Sequence, residues 1–234
     1  MISISIDEKR FKSVDGGELF AIQNLKFDVE TTEFVCLVGP SGCGKTTTLR
    51  ILLGLDNDFS GAIDKPDGFS RISAVFQEPR LLPWRTVEQN VRLVLPKEER
   101  SQDLDSLFEP LGLQDVRRLY PRELSLGLAR RVAIARAYAF SPSLLILDEP
   151  FVSLDESTAR RLRASLVSVW QSRPTAVVMV THNMHEAFEL ADRIIMLSAR
   201  PATIRGEYKL DCPREERTDQ WIATEIAAIE ERFP

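Results

Sequence analysis

The positions of apolar residues along the chain predict short strands and helices in alternation. Residues 2–6 alternate Ile-Ser-Ile-Ser-Ile, which predicts an edge strand, and a second strand is expected over 19–29. A shorter strand is expected at 71–76. A short apolar run at 34–38 predicts a strand that ends at Gly39. Three later continuous apolar runs are typical of parallel strands that are buried on both faces: 144–147, 176–180 and 194–197.

Helical patterns separate these strands. They cover 45–53, about 155–171 and 184–190, which predicts βαβ units with right-handed crossovers. Between about 83 and 140 the pattern is helical, and the breaks are expected at Pro96, Pro110, Gly112 and Pro121. Beyond about residue 205, apolar positions predict a short amphipathic helix that packs back on the core: Trp221, Ile222, Ile226 and Ile229.

Composition narrows the class of protein. Of 234 residues 44% are hydrophobic, enough for a sizeable core, and the formal net charge of −5 gives no basis for nucleic-acid binding. The arginine pairs at 117–118, 130–131 and 160–161 are interpreted as solvated helix faces. Three cysteines without metal spacing are expected to be free thiols in a reducing compartment. No signal segment and no apolar stretch of the ~20 residues that span a bilayer is visible.

Residues 39–46 read Gly-Pro-Ser-Gly-Cys-Gly-Lys-Thr and match the phosphate-loop pattern GxxxxGK[ST] in full. The predicted strand before it and helix after it are the context in which backbone N–H groups surround phosphates. Lys45 supplies a charge to the β- and γ-phosphates, and the Thr46 hydroxyl can bind Mg²⁺. Cys43 is interpreted as a small residue that fits, or alternatively as a thiol whose labelling inhibits. The residues expected to bind the nucleotide here are Gly39, Ser41, Gly42, Cys43, Gly44, Lys45, Thr46 and Thr47.

A second candidate site follows the apolar run at 144–147, which ends in Asp148, Glu149 and Pro150. Such a strand delivers its acids to the carboxyl edge of the sheet, where α/β sheets bind ligands. Asp148 is expected to hold Mg²⁺, directly or through water, and Glu149 to orient and deprotonate the attacking water. The alternative, two acids that favour a helix dipole, does not explain the strand, the proline and the phosphate loop together.

Together these motifs resemble the ABC ATPase family over about residues 3–200. Gln77 resembles the family's Q-loop, and residues 124–128, Leu-Ser-Leu-Gly-Leu, resemble its signature motif. Downstream, residues 153–155 resemble the D-loop, and His182 resembles the switch histidine at the end of a strand. The resemblance implies an α/β fold: a P-loop NTPase (RecA-like) core with an N-terminal antiparallel β-subdomain and an inserted α-helical subdomain. The expected divisions are the β-subdomain with the phosphate loop, the helical subdomain, the rest of the core and a short helical tail: 1–82, 83–140, 141–205 and 206–234.

The resemblance also implies a dimer in which two subunits enclose two ATP molecules. Each ATP is held by the phosphate loop of one chain and the signature of the other. Ser125 and the Gly127 N–H would contact the γ-phosphate across the interface, and Asp155 would report across the dimer. Phe11 matches the aromatic position that stacks on adenine, although it could equally pack under the β-subdomain.

The same resemblance assigns the catalytic residues: Glu149, His182, Lys45 and Gln77. His182 would sense the γ-phosphate and hold the attacking water with Glu149. Gln77 would bind Mg²⁺, together with Thr46 and Asp148, and link the metal to the helical subdomain and the permease.

Two departures from the family pattern are visible. Leu126 and Leu128 replace a glycine and a glutamine of the usual Leu-Ser-Gly-Gly-Gln signature. If the position of Leu126 needs a positive φ, strain is expected there, with a weaker ATP sandwich. Thr32 stands where a glycine usually precedes the glutamate, here Glu33, which is a turn variant outside the chemistry.

Residues 77–84, Gln-Glu-Pro-Arg-Leu-Leu-Pro-Trp, resemble the importer ATPases for nitrate, sulfonates and taurine. The surface around 78–90 would then receive the coupling helix of a permease, although 81–84 could instead be core packing. The implied function is ATP hydrolysis that powers uptake of a small solute, such as one of these anions, through a separate permease. Hydroxymethylpyrimidine-type solutes use similar ATPases. The alternative is a soluble ABC ATPase outside transport, a class that usually carries coiled-coil arms or a second cassette.

The expected partners follow from this resemblance. They are a second ATPase subunit, expected to be an identical copy, an integral-membrane permease and, indirectly, a periplasmic or extracellular solute-binding protein. The cofactors are ATP and Mg²⁺. The expected location is the cytoplasmic face of the inner membrane, as a peripheral subunit.

Overall fold

The computed structural model describes residues 1–12, 16–66 and 69–232. The strands in these residues are β1 (Ile2–Lys12), β2 (Glu18–Val29), β3 (Phe34–Val38), β4 (Ser60–Asp64), β5 (Ile72–Val75), β6 (Leu144–Asp148), β7 (Ala176–Thr181), β8 (Arg193–Leu197) and β9 (Ile204–Lys209). The helices are α1 (Lys45–Leu52), α2 (Val87–Arg92), α3 (Asp105–Leu111), α4 (Leu126–Ala139), α5 (Glu156–Ser172), α6 (Met184–Leu190) and α7 (Asp219–Arg232). Two compact units make up the chain: the first unit is 1–70 with 176–234, and the second unit is 71–175.

A three-stranded antiparallel sheet in the order β2-β1-β4 forms the N-terminal part of the first unit. The expectation of an edge strand over residues 2–6 is wrong, because β1 pairs on both sides. Ile4 lies opposite Phe27 on one side and opposite Ile63 on the other. The alternation of the sequence buries Ile2, Ile4 and Ile6, as expected. Alternation reports which face of a strand is buried and says nothing about how many of its edges are paired.

The rest of the first unit is built on parallel strands. β3 pairs in parallel with β7 on one side and with β8 on the other. All five residues of β3 are buried, which explains its continuous apolar run. β9, which was not predicted, pairs antiparallel with β8. The predicted tail helix is present as α7, where Ile222 and Ile229 are buried.

The second unit combines the parallel pair β5–β6 with helices α2 to α5. Gly112, with φ 62°, ends α3, since its N–H bonds to Glu109 O and the Leu113 N–H bonds to Phe108 O. The expected break at Pro110 is wrong, because Pro110 lies inside α3. The helix stops two residues later at the glycine, so the proline removes only one intrahelical bond near the end.

Candidate functional site

The phosphate loop lies in the first unit between the buried strand β3 and the helix α1. Two of its glycines are required by geometry. Gly44 has φ 131°, and a Cβ there would lie 2.9 Å from the Ala21 carbonyl oxygen. Gly42 has φ 75°, a conformation that L side chains rarely adopt. The sequence therefore folds this loop with its backbone in the conformations that allow N–H groups to turn inward.

Lys45 begins α1 and is buried. Its Nζ donates to the carbonyl oxygens of Gly39 at 2.6 Å and Pro40 at 2.9 Å. The ammonium group is thus folded over the loop that the motif assigns to phosphate. Beside it, the side chains of Ser41 and Thr46 are exposed and that of Thr47 is half-buried.

Cys43 is 1% exposed, although its neighbours Ser41 and Gly42 lie at the surface. Its Sγ would lie 3.1 Å from a Cβ on Gly39. The thiol thus fills space beneath the loop, which favours its interpretation as a small residue that fits.

His182 follows β7 directly. The parallel register places Thr181 opposite Val38, so His182 and Gly39 leave adjacent strands at the same edge. Thr181 Oγ1 donates to Glu186 Oε2 at 2.6 Å, which ties the end of β7 to α6. The His182 side chain is exposed at this edge. In the first unit, the structure therefore places His182 and the start of the phosphate loop at the same sheet edge.

Phe11 lies near the end of β1, opposite Leu19. Its ring is 41% exposed, and the ammonium of Lys9 lies 4.8 Å from the ring centroid. Lys9 is in turn held by Asp56 at 2.8 Å. An exposed ring with a fixed neighbour favours a stacking surface over the alternative of packing under the sheet.

In the second unit, Gln77 and the two acids leave adjacent strands at one edge. β5 and β6 are parallel, with Val75 opposite Leu147, so Gln77 and Asp148-Glu149 follow at the same end. Gln77 is exposed, and both acids are half-buried. Glu149 has φ 44°, a left-handed conformation that is uncommon outside glycine and asparagine. Such strain is concentrated at functional sites.

Arg130 joins these elements and was missed by sequence reasoning. It is 2% exposed, so the interpretation of its arginine pair as a solvated face is wrong for this residue. Its Nη1 donates to Pro150 O at 2.6 Å and its Nη2 to Gln77 O at 3.3 Å. The sequence feature that could have indicated its burial is helical spacing, because Arg130 shares one helix face with Ile134 and Ala137, which are also buried.

The signature residues form the N-terminus of α4. Ser125 is the N-cap, and its hydroxyl accepts from the Leu128 N–H at 3.3 Å. Leu126 is the first helical residue and has no positive φ, so the strain expected there is absent. Gly127 is buried against α5, where a Cβ would lie 2.6 Å from Thr158 Cγ2.

Asp155 is the N-cap of α5. It accepts from the Ser157 hydroxyl at 2.6 Å and from the Thr158 N–H at 3.0 Å. These hydrogen bonds, that from Ser157 first, hold the pKa of the Asp155 carboxyl well below its usual range. The carboxylate therefore has a local role at this helix start, in addition to the one that the D-loop resemblance implies.

Trp84 is 69% exposed, which excludes core packing for this part of the Q-loop segment. The segment is held from inside by Asn90, which is fully buried. The Asn90 amide accepts from Leu82 N at 2.8 Å and donates to Arg85 O and Thr86 O at 3.0 Å each. A rigid turn therefore presents the indole at the surface.

In the described ranges 1–12, 16–66 and 69–232, no helix is long and apolar enough to cross a membrane. Within the same residues, no group of three or more histidine, cysteine, aspartate or glutamate side chains is arranged to hold a metal ion.

Comparisons with known proteins agree with this geometry. The model of the ABC transporter family matches residues 22–152. The aliphatic sulfonates import ATP-binding protein SsuB of Bacillus cereus is 37% identical over 235 residues, covering 94% of this chain and 92% of that protein. The nitrate import ATP-binding protein NrtD of Synechocystis sp. is 41% identical over 214 residues, covering 86% of this chain and 80% of that protein.

Solved structures give the same result. The dimeric bacterial ABC transporter cassette MJ0796 superposes with a TM-score of 0.75 at 29% identity, covering 91% of this chain and 100% of that chain. The same cassette in a post-hydrolysis state with ADP and Pi gives a TM-score of 0.73 at 28% identity, with the same coverage. These likenesses confirm the predicted P-loop NTPase fold. The chain therefore belongs to the ABC transporter family and is one of its ATP-hydrolysing subunits.

Proposed function

We propose that this chain dimerises around MgATP and hydrolyses it to drive a membrane permease that imports a small anion. The observation that carries the proposal is the placement of the motifs at strand ends. In the first unit the phosphate loop and His182 leave adjacent parallel strands, and in the second unit Gln77 and Asp148-Glu149 do the same. The carboxyl ends of parallel strands are where α/β proteins bind nucleotides.

Binding of the triphosphate is assigned to the loop from Gly39 to Thr47. Lys45 Nζ now donates to two loop carbonyl oxygens. Phosphate oxygens are stronger acceptors for an ammonium group, because the resulting hydrogen bonds are charge-assisted on both sides. The exposed ring of Phe11 provides a flat apolar surface for adenine.

The chemistry of the side chains assigned to Mg²⁺ supports this part of the proposal. Thr46, Gln77 and Asp148 offer a hydroxyl, an amide carbonyl and a carboxylate, and Mg²⁺ binds oxygen ligands while keeping waters and substrate phosphates. A few protein ligands therefore suffice, without a cluster of acids. The bound metal would neutralise charge on the phosphate oxygens.

Hydrolysis is assigned to Glu149 as the base that orients and deprotonates water. Its left-handed backbone fixes the direction in which the carboxylate leaves β6. His182 would donate to the γ-phosphate. Ser125 and Gly127, at the positive end of α4, would complete the nucleotide site of a second copy. Asp155 would report across the dimer.

The importer role and the solute class are supported by the relatives, which are named for sulfonate and nitrate import. The exposed Trp84 and the rigid segment around it suit the docking of a permease. An ATPase of this type works at the cytoplasmic face of the membrane.

The ATP chemistry is tested with Glu149→Gln, and Glu230→Gln on the exposed face of α7 is the matched control. We expect the variant to bind MgATP and to lose turnover by at least about 100-fold, the usual contribution of a general base. Because hydrolysis no longer separates the subunits, the Glu149→Gln variant should elute as a dimer at millimolar MgATP in size-exclusion chromatography with light scattering. A monomer under these conditions, or turnover equal to that of the control, contradicts the assignment.

The transport role is tested by tagging the chain in its host, solubilising the membranes gently and identifying the proteins that co-purify. Recovery of one multi-span permease, with a solute-binding protein encoded beside it, supports the proposal and leads to the solute. If the chain is recovered only from the soluble fraction, with ribosomal or nucleoprotein partners, the importer role is contradicted and the ATPase assignment stands.

A further inference from the structure

The loop between β8 and β9 (residues 198–203, the β8–β9 loop) lies against the phosphate loop within the first unit. Contacts occur at three points along it. A Cβ on Gly39 would lie 3.0 Å from the Cβ of Leu197, the last residue of β8. A Cβ on Gly44 would lie 3.2 Å from Ala202 Cβ. Between these two points, Arg200 reaches the carbonyl oxygen of Gly42. The residues that make these contacts from the β8–β9 side lie outside all of the family motifs identified above.

The β8–β9 loop is itself held rigidly. Ser198 N–H donates to Thr203 O at 2.9 Å, and Ser198 Oγ accepts from Thr203 N–H at 2.9 Å, which closes the loop at its base. Ala202 bonds to β2 in both directions, from its N–H to Ala21 O at 2.9 Å and from Gln23 N–H to its own O at 3.0 Å. Arg200 is therefore presented from a fixed support.

Two nitrogen atoms of the Arg200 guanidinium donate to Gly42 O, Nη2 at 2.7 Å and Nε at 3.1 Å. Gly42 C=O and Cys43 N–H belong to one peptide group, so a cation on the oxygen polarises the N–H on the other side. The Cys43 N–H now makes only a long bond of 3.3 Å to Pro40 O. That N–H is one of the donors that the phosphate-loop motif turns toward the nucleotide.

We propose that Arg200 is a positioning residue of the nucleotide site. It fixes the Gly42–Cys43 peptide from outside the loop and strengthens its N–H as a donor to the nucleotide phosphates. The proposal rests on the proposed ATP site. Since ATP and the transition state carry the same phosphate contact, its loss should weaken nucleotide affinity and leave turnover at saturation nearly unchanged.

The test compares Arg200→Ala and Arg200→Lys with Arg118→Ala, which removes an equal charge from an exposed position in the second unit. Dissociation constants for MgATP and MgADP are measured by calorimetry, and kcat and KM by phosphate release. We expect Arg200→Ala to raise both dissociation constants and KM about threefold to tenfold, or ~0.7–1.4 kcal/mol, with kcat within about twofold. Arg200→Lys, which keeps one charged donor, should recover part of the loss, and Arg118→Ala should match the parent.

Ionic strength separates positioning from general electrostatics. A direct hydrogen bond survives 0.5 M KCl, whereas a long-range charge effect is screened over a few ångströms. The proposal is overturned if Arg200→Ala binds like the parent, or if its deficit vanishes in high salt. It is also overturned if the deficit only tracks a lower melting temperature of the free protein. Lys45→Ala reports on the ATP site itself: retained binding in that variant would remove the proposed function, whereas its loss beside a normal Arg200→Ala would remove this inference alone.

Discussion

Thr32 and Glu149 share a left-handed backbone, with φ values of 67° and 44°. For an L side chain this conformation costs roughly 1–2 kcal/mol. Glu149 lies at the strand end where the proposed hydrolysis needs a carboxylate in one direction, so the strain there has a use. Thr32 is exposed in the turn between β2 and β3, which carries no motif. The strain at Thr32 therefore lowers the stability of the protein and serves no proposed catalytic role.

Replacing Thr32 with glycine should stabilise the protein. Removal of the left-handed strain outweighs the extra chain entropy of glycine, so we expect a net gain of about 0.5–1 kcal/mol in the free energy of unfolding. Urea titration measures it as a higher midpoint with an unchanged slope. Thr31→Gly is the control, because Thr31 is also exposed and has no positive φ. It should lose about 0.5–1 kcal/mol, so equal effects of the two changes would contradict this explanation.

Single residues also mark where sequence reasoning fails. Arg130 is a charged residue in an arginine pair, and the one local indication of its burial is its helical spacing to buried apolar residues. Its burial is offset by hydrogen bonds to the carbonyl oxygens of Gln77 and Pro150, which come from distant parts of the chain. The positions of Asp148 and His182 at strand ends and of Lys45 at a helix start could be predicted, because short apolar runs and the glycine loop are local signals. Contacts between segments far apart in sequence leave no such signal.

At the level of elements, α4 and α5 pack closely where Gly127 meets Thr158. Gly127→Ala should destabilise the second unit by about 1–2 kcal/mol through overpacking. Adding Thr158→Ser removes the Cγ2 methyl that the new Cβ would strike, and should restore most of that loss. Unfolding midpoints of the two single variants and the double variant form the cycle. Additive losses in the double variant would show that the contact is not the cause.

The same cycle separates packing from chemistry at the signature. If the backbone of residue 127 must also approach the phosphate of a second copy closely, the added Cβ obstructs that approach, so the double variant regains stability and still hydrolyses ATP slowly. Full recovery of both would show that the glycine is needed only for its packing against Thr158.

Strands were predictable where the positions that they bury are apolar, and unpredictable where they are not. β3 and β7 are entirely buried, so their sequences are continuous apolar runs that local pattern detects. β9 is half-buried on one face and exposed on the other, with arginine, glycine and glutamate among its residues. Its pairing with β8 comes from the chain reversal at 198–203, which contains no apolar pattern. Likewise, α3 continues through Pro110 because Gly112, and not the proline, supplies the stop.

At the scale of the whole molecule, the proposed contact with a permease depends on an exposed apolar residue that the fold holds in place. Trp84 is 69% exposed on a turn fixed by the buried Asn90 amide. The turn is also held from α4, since the two Nη atoms of Arg136 donate to Arg80 O and Pro79 O at 2.8 Å. A rigid, exposed tryptophan is the residue type that dominates binding energy at protein interfaces. We therefore place the centre of the proposed permease contact at Trp84.

Trp84→Ala should uncouple the subunit from its permease without harming the subunit itself. Because the indole is mostly in water, its removal should leave the unfolding midpoint and the basal ATPase rate near those of the parent. Loss of an interface anchor of this kind costs at least about 2 kcal/mol, so affinity for the detergent-solubilised permease should fall roughly 30-fold. Leu55→Ala is the control, since Leu55 is 58% exposed in the first unit, away from the Q-loop segment in sequence. Normal co-purification of the Trp84 variant, or an equal loss in the Leu55 variant, would place the permease contact elsewhere on the surface.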